Sequence, residues 1–180
     1  MAEQIILSGE IGSGKTTLLM GLLDRLKAHT LKIHGVITPP VVVNGKKTGI
    51  DLVDLKSGER KQLATLRGIG SAQTATQKWV FNDGVIQWGN LILSQAVPCQ
   101  LLVIDELGPL ELERGMGLLA GLAAINSLNY SVALVVIRPL LVPTALNLMP
   151  EAKVEFFSRE SGSGIMAKLA DEILTACQAN

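Results

Sequence analysis

Residues Gly9-Glu10-Ile11-Gly12-Ser13-Gly14-Lys15-Thr16 carry glycine, lysine and threonine at the spacing G-x-x-x-x-G-K-[ST]. Each residue type has a chemical reason to be there. Glycine lets the backbone take positive φ and approach an anion without a Cβ in the way. Successive N–H groups of such a loop turn inward as a nest for phosphate oxygens. A helix opening near Lys15 would add its unpaired N–H groups and the positive end of its dipole. Lys15 can reach β- and γ-phosphates as a point charge, and the Thr16 hydroxyl can ligate Mg²⁺. Gly9, Glu10, Ile11, Gly12, Ser13, Gly14, Lys15, Thr16 and the following Thr17 are therefore the expected nucleotide-binding residues.

A second constellation is Leu101-Leu102-Val103-Ile104-Asp105-Glu106, an apolar run closing on two carboxylates. Strand ends of this kind line the ligand edge of a doubly wound sheet. Asp105 is expected to hold Mg²⁺ together with Thr16, and Glu106 to polarise the attacking water or accept its proton. Arg138 follows the apolar run 132–137 and is expected at the same edge, where an arginine can stabilise charge on a γ-phosphate. The catalytic candidates are thus Glu106, Lys15 and Arg138. Ser161-Gly162-Ser163-Gly164 lacks a following Lys-Thr and reads as a serine-capped helix start, not a second phosphate loop.

The elements that must position these groups alternate in type. Residues 4–8 form a short apolar run ending at glycine, which predicts a buried strand. Leu18, Leu19, Leu22, Leu23 and Leu26 then share one face of a helix ending near His29. Residues 36–43, 46–55 and 59–63 read as strands, with Asn44-Gly45 giving a type I′ hairpin turn. Pro39-Pro40 belongs at an edge or bend. Residues 65–78 read as a loop, 85–96 as a helix, 100–104 as a strand and 110–128 as one long helix. A strand at 132–137, another at 154–157 and a helix at 165–178 complete the chain. Strands alternating with helices predict a mostly parallel α/β sheet with helices on both faces and an antiparallel hairpin insertion at about 35–64, all in one domain over 1–180.

Composition narrows the classes. The chain of 180 residues is 48% hydrophobic and only 18% charged, which suits a packed core and not a disordered segment. Its 16 basic and 16 acidic residues cancel, so no nucleic-acid partner is expected, because phosphate neutralisation demands a basic excess. Cys99 and Cys177 lack metal-ligand spacing and read as reduced apolar side chains. No apolar run reaches the roughly 20 residues of a membrane span, and the start of the chain lacks a basic leader. A cytoplasmic protein is expected.

With these motifs placed, the chain resembles the small P-loop nucleoside-triphosphatase family, the cancer-related NTPase family with human, archaeal and bacterial members. The phosphate loop is one point of likeness. Gly35-Val36-Ile37-Thr38 and Asn44–Leu55 are similar to the family's GxxT…GxxxGFDVVxL segment, and Val103–Leu112 to its VIDEIGxMEL. The resemblance implies a RecA-like fold and Mg²⁺-dependent hydrolysis of ATP, GTP and other NTPs with loose choice of base. It places Lys15 and Thr16 on phosphate and metal, and Asp105 and Glu106 on metal and water. Glu111 matches the glutamate of the MEL block. The chain departs from the family at Pro39-Pro40-Val41-Val42, at 76–79, and at 158–164, where the family's Asn-Arg pair is replaced.

Two other readings stay open at the level of sequence. A nucleoside or nucleotide kinase shares the loop and the size, and Lys46, Lys47, Arg60 and Arg67 could serve an acceptor lid. A nucleotide-switched binding module with slow hydrolysis would use the insertion as its docking face. A protein partner is compatible with the sequence, which names none.

Overall fold

The computed structural model describes residues 2–66, 79–160 and 162–178. The chain runs β1 (Glu3–Ser8), α1 (Lys15–Leu26), β2 (Ile33–Ile37), β3 (Pro40–Val43), β4 (Lys46–Asp54), β5 (Arg60–Leu66) and β6 (Trp79–Phe81). It continues through α2 (Asp83–Ser94), β7 (Cys99–Leu107), α3 (Pro109–Arg114), α4 (Leu119–Asn126) and β8 (Tyr130–Ile137). A 3₁₀ turn (Pro139–Leu141), α5 (Val142–Leu148), β9 (Lys153–Phe156) and α6 (Gly162–Gln178) complete it.

One nine-stranded sheet takes the order β6-β5-β4-β2-β7-β8-β1-β9, with β3 paired to β4 beside that path. β2, β7, β8, β1 and β9 pair in parallel; β3, β4, β5 and β6 extend the sheet antiparallel. The period-2 alternation of strands sorts the core into two layers. Ile5, Leu7, Leu101, Val103, Val132 and Leu134 face α1 and α6. Ile6, Leu102, Ile104, Ala133, Val135 and Ile137 face α2, α4 and α5. Both faces are covered, so the parallel strands read as unbroken apolar runs. No helix among the described residues is long and apolar enough to cross a membrane.

This topology selects one edge. The chain leaves β1 through α1 toward β2, and leaves β8 through α5 toward β9, in opposite directions across the sheet. Between the C-terminal ends of β1 and β8 the order reverses, and ligands of open α/β sheets bind at such a point. The 9–16 loop follows β1, and Arg138 follows β8.

Several sequence expectations need correction. The strand expected at 36–43 is two, β2 and β3, broken at Thr38-Pro39, and the Pro39 carbonyl accepts from Asp51 N. The strand expected at 100–104 continues to Leu107, passing through both carboxylates with a register shift between Ile104 and Leu107. The single helix expected at 110–128 is α3 and α4, parted where Gly115 and Gly117 take positive φ. Asn82 caps α2 by accepting from Val85 N, so that helix starts earlier, at Asp83. The 3₁₀ turn and α5 had no counterpart in the sequence reading. The Asn44-Gly45 hairpin is present with φ of 50° and 74°. The expected loop at 65–78 lies outside the described residues from 67 onward, as does Ser161 of the expected serine-capped turn; Thr65 and Leu66 belong to β5, and the last helix starts earlier than 165, at Gly162.

Candidate active site

β1 ends at Ser8, and α1 begins only at Lys15. Between them Gly12 and Gly14 take φ of 77° and 101°, values that L side chains rarely adopt. Gly9 is glycine for a different reason: a Cβ there would lie 2.5 Å from the Phe157 carbonyl oxygen. The loop closes on itself through Ser13 N donating to Glu10 O at 3.1 Å. The Ser13 hydroxyl is buried and has no partner among the described residues.

Lys15 is buried, and its Nζ donates to the carbonyls of Gly9 at 2.6 Å and Glu10 at 2.9 Å. Burial lowers its pKa, opposed by the nearby charges of Glu106 and Asp105. The ammonium is thus anchored on its own loop beside two acids from β7.

Asp105 is 1% exposed. Burial pushes its carboxyl up to about 6, against the pull of hydrogen bonds from Thr38 N and from the Thr16 side chain. Thr38 N lies 3.2 Å from Oδ2. Parallel pairing of β2 with β7 sets Thr38 just beyond β2 and beside Asp105. The Thr16 contact joins the phosphate loop's helix to β7. Glu106 is half-buried and meets Arg138, whose Nε donates to Oε1 at 2.6 Å with a terminal nitrogen 2.5 Å from the same oxygen. Oε2 is left free of that pair.

Behind this edge Glu111 is buried and accepts from Gly108 N at 2.8 Å and from Leu118 N at 2.9 Å. It holds the exit of β7 against the start of α4. Gly117 leaves room for it, since a Cβ there would sit 2.0 Å from Oε1.

The model of a family described as NTPase matches residues 4–153 of the chain. The chain belongs to this NTPase family. By class it is a nucleoside-triphosphate phosphatase. A nucleoside-triphosphatase THEP1 of Caldivirga maquilingensis is 28% identical over 161 residues, covering 89% of this chain and 91% of that protein. A THEP1 of Pyrobaculum islandicum is 39% identical over 108 residues, which is 58% of each. The solution structure of a human cancer-related nucleoside triphosphatase has the same fold, with a TM-score of 0.72, 24% identity, and 96% and 98% coverage.

This NTPase brings the expected residues of 9–16, Asp105, Glu106 and Arg138 to one edge of its sheet. Three groups at or behind that edge take roles that the sequence alone did not assign. Thr38 supplies a backbone donor to Asp105. Arg159, from the segment after β9, donates to the Gly12 carbonyl at 2.9 Å. Glu111 acts as a brace between β7 and α4 as well as an acid at a helix start. A signal for Arg159 existed: it is a cation just past a strand end, the same pattern that singled out Arg138. Trp79 and Phe81 lie on the edge strand β6 with Phe81 exposed, and Trp88 of α2 packs against the core. His34 is structural, its Nδ1 2.8 Å from the Ala96 carbonyl.

Proposed function

We propose that this NTPase hydrolyses ATP, GTP and other nucleoside triphosphates to the diphosphate and phosphate, with Mg²⁺, at the edge built by Gly9–Thr16 and Asp105-Glu106. One observation carries the reading: the Thr16 side chain lies against the Asp105 carboxyl and holds its pKa down against the effect of burial. That contact joins the phosphate loop to the acidic strand end, so one substrate can meet both.

The donors suit Mg²⁺. The Thr16 hydroxyl and the Asp105 carboxylate are hard oxygen ligands beside each other, and Mg²⁺ is usually held by one or two such groups together with phosphates. The raised Asp105 carboxyl is a buried acid that gains from a cation beside it. Bound there, Mg²⁺ would neutralise charge developing on the phosphate oxygens.

The chain's own residues divide the remaining work. Loop N–H groups and the start of α1, which has no acid in its first turn, hold the phosphates. Lys15, buried beside the loop, offers its charge to the β- and γ-phosphates. Arg138 fixes Glu106 through Oε1, which leaves Oε2 to orient water and take its proton. The rest of the Arg138 guanidinium is available to the γ-phosphate.

Phosphate release measured across the common NTPs, with and without Mg²⁺ and with candidate nucleoside acceptors, tests this directly. The expected result is Mg²⁺-dependent release from several NTPs, abolished in Lys15→Ala. Faster transfer to an acceptor than to water would make the protein a kinase. Wild-type turnover in purified Lys15→Ala would remove the site from this loop.

A further inference from the structure

We propose that Arg159 is a second polyphosphate-binding cation of this site, brought to the loop by the segment that follows β9. The inference rests on the nucleotide reading of Gly9–Thr16.

The segment lies along the loop over its whole length. Phe157 N donates to Ser8 O at 2.7 Å, where the loop begins. The Phe157 carbonyl fills the space a Gly9 side chain would need, and its ring lies 3.9 Å from where a Gly14 side chain would start. Arg159 then reaches the loop's middle, at Gly12, across 147 residues of sequence. This guanidinium therefore has a fixed address beside the phosphate cradle while remaining exposed.

The charges of the edge explain what it adds. Lys15 faces the charges of Glu106 and Asp105. Arg138 is paired with Glu106. Arg159 donates to a neutral carbonyl, its hydrogen-bond partner among the described residues. Its charge is thus uncompensated by that bond. Five N–H donors let it hold Gly12 and still address an anion. An incoming polyphosphate chain meets a loop whose other two cations are partly neutralised, and Arg159 supplies the remaining attraction. The same contact couples occupancy of the loop to the β9–α6 connection.

Equilibrium binding of a non-hydrolysable NTP analogue and of inorganic tripolyphosphate, together with steady-state phosphate release, tests the proposal in Arg159→Gln, Arg159→Lys and Lys15→Ala. Gln keeps a donor for Gly12 and loses the charge. One lost charge-assisted hydrogen bond corresponds to roughly 10-fold or more, so Arg159→Gln is expected to weaken both ligands by at least about 10-fold and raise KM alike. Its kcat should stay within about threefold, and the salt dependence of binding should flatten. Arg159→Lys should recover most of the affinity. Affinity in Arg159→Gln within about twofold of wild type would overturn the proposal. So would loss of the nucleotide with tripolyphosphate unaffected, which would place the guanidinium on base or ribose, or a loss that Lys fails to rescue, which would make the role structural. If Lys15→Ala binds as wild type does, the loop assignment itself fails; if Lys15→Ala alone loses binding, only Arg159 is misassigned.

Discussion

Arg138 sets two guanidinium nitrogens on a single oxygen, Oε1, of Glu106, a residue 32 positions earlier in the chain. β7 and β8 are parallel neighbours, and the two side chains close the gap between their ends. Neither charge is buried enough for the pair to matter much as a stabiliser; exposed ion pairs are worth about 0–1 kcal/mol. Its consequence is orientation.

If Arg138 aims Glu106, the two form one functional unit, and their losses should not add. Glu106→Gln and Arg138→Ala are each expected to lower kcat by roughly 10²–10⁴, the range for a general base. The double variant should fall within about threefold of the worse single. Fully multiplicative losses in single-turnover assays would show that Arg138 acts apart from Glu106.

Asp105 makes stability depend on pH in a specific direction. Its folded carboxyl is raised from 3.8 to about 6, so the folded state binds the proton more tightly than the unfolded chain. Above pH 6 without metal, the buried charge disfavours folding by roughly 3 kcal/mol, and this cost fades as pH falls from 6 toward 4. Asp105→Asn should therefore be more stable than wild type at pH 8 in chelator, by up to that amount. The gap should shrink as pH drops through this window. Denaturant midpoints at pH 8, 6 and 4.5 measure it, and a gap that does not vary with pH would count against the buried carboxylate. Hydrolysis should also fall on the acid side near pH 6, and saturating Mg²⁺ should move that limb lower.

Glu111 leaves a different signature. Its two oxygens satisfy the buried N–H groups of Gly108 and Leu118. Glu111→Ala orphans both and should cost about 2–6 kcal/mol, at about 1–3 kcal/mol per buried group. Gly117→Ala intrudes on the same carboxylate, so in the double variant only its positive-φ strain of roughly 1–2 kcal/mol should add. Thermal or denaturant unfolding of both singles and the double checks this; additive losses would separate Gly117 from Glu111.

The phosphate loop was legible because anion chemistry dictates its residue types and spacing, and the strand before it and the helix after it follow from short-range periodicity. The hairpin was legible through Asn44-Gly45, whose positive φ is a local demand. Asp105-Glu106 was legible as chemistry and misread as a strand end. Carboxylates seldom continue a buried strand, and Asp105 does so because Thr16 and Thr38 reach it from distant segments. Residues 110–128 read as one helix because leucine and alanine keep helical spacing across Gly115–Gly117. The break is set by where the Glu111 side chain must fit, a contact between segments that no local pattern displays. Arg159 stands just past a strand end, as Arg138 does, but no local pattern says which loop it meets, and the run of Phe157 along the phosphate loop brings it to Gly12.

That the loop and the β7 acids make one hydrolytic site is tested most directly by single-turnover phosphate release from bound NTP in Mg²⁺, comparing Glu106→Gln with wild type. Glu106→Gln should bind the nucleotide within about threefold of wild type and release phosphate at least about 10²-fold more slowly. Release at the wild-type rate from the bound nucleotide would mean that Glu106 takes no part in hydrolysis, and that the site is not the one these two segments form.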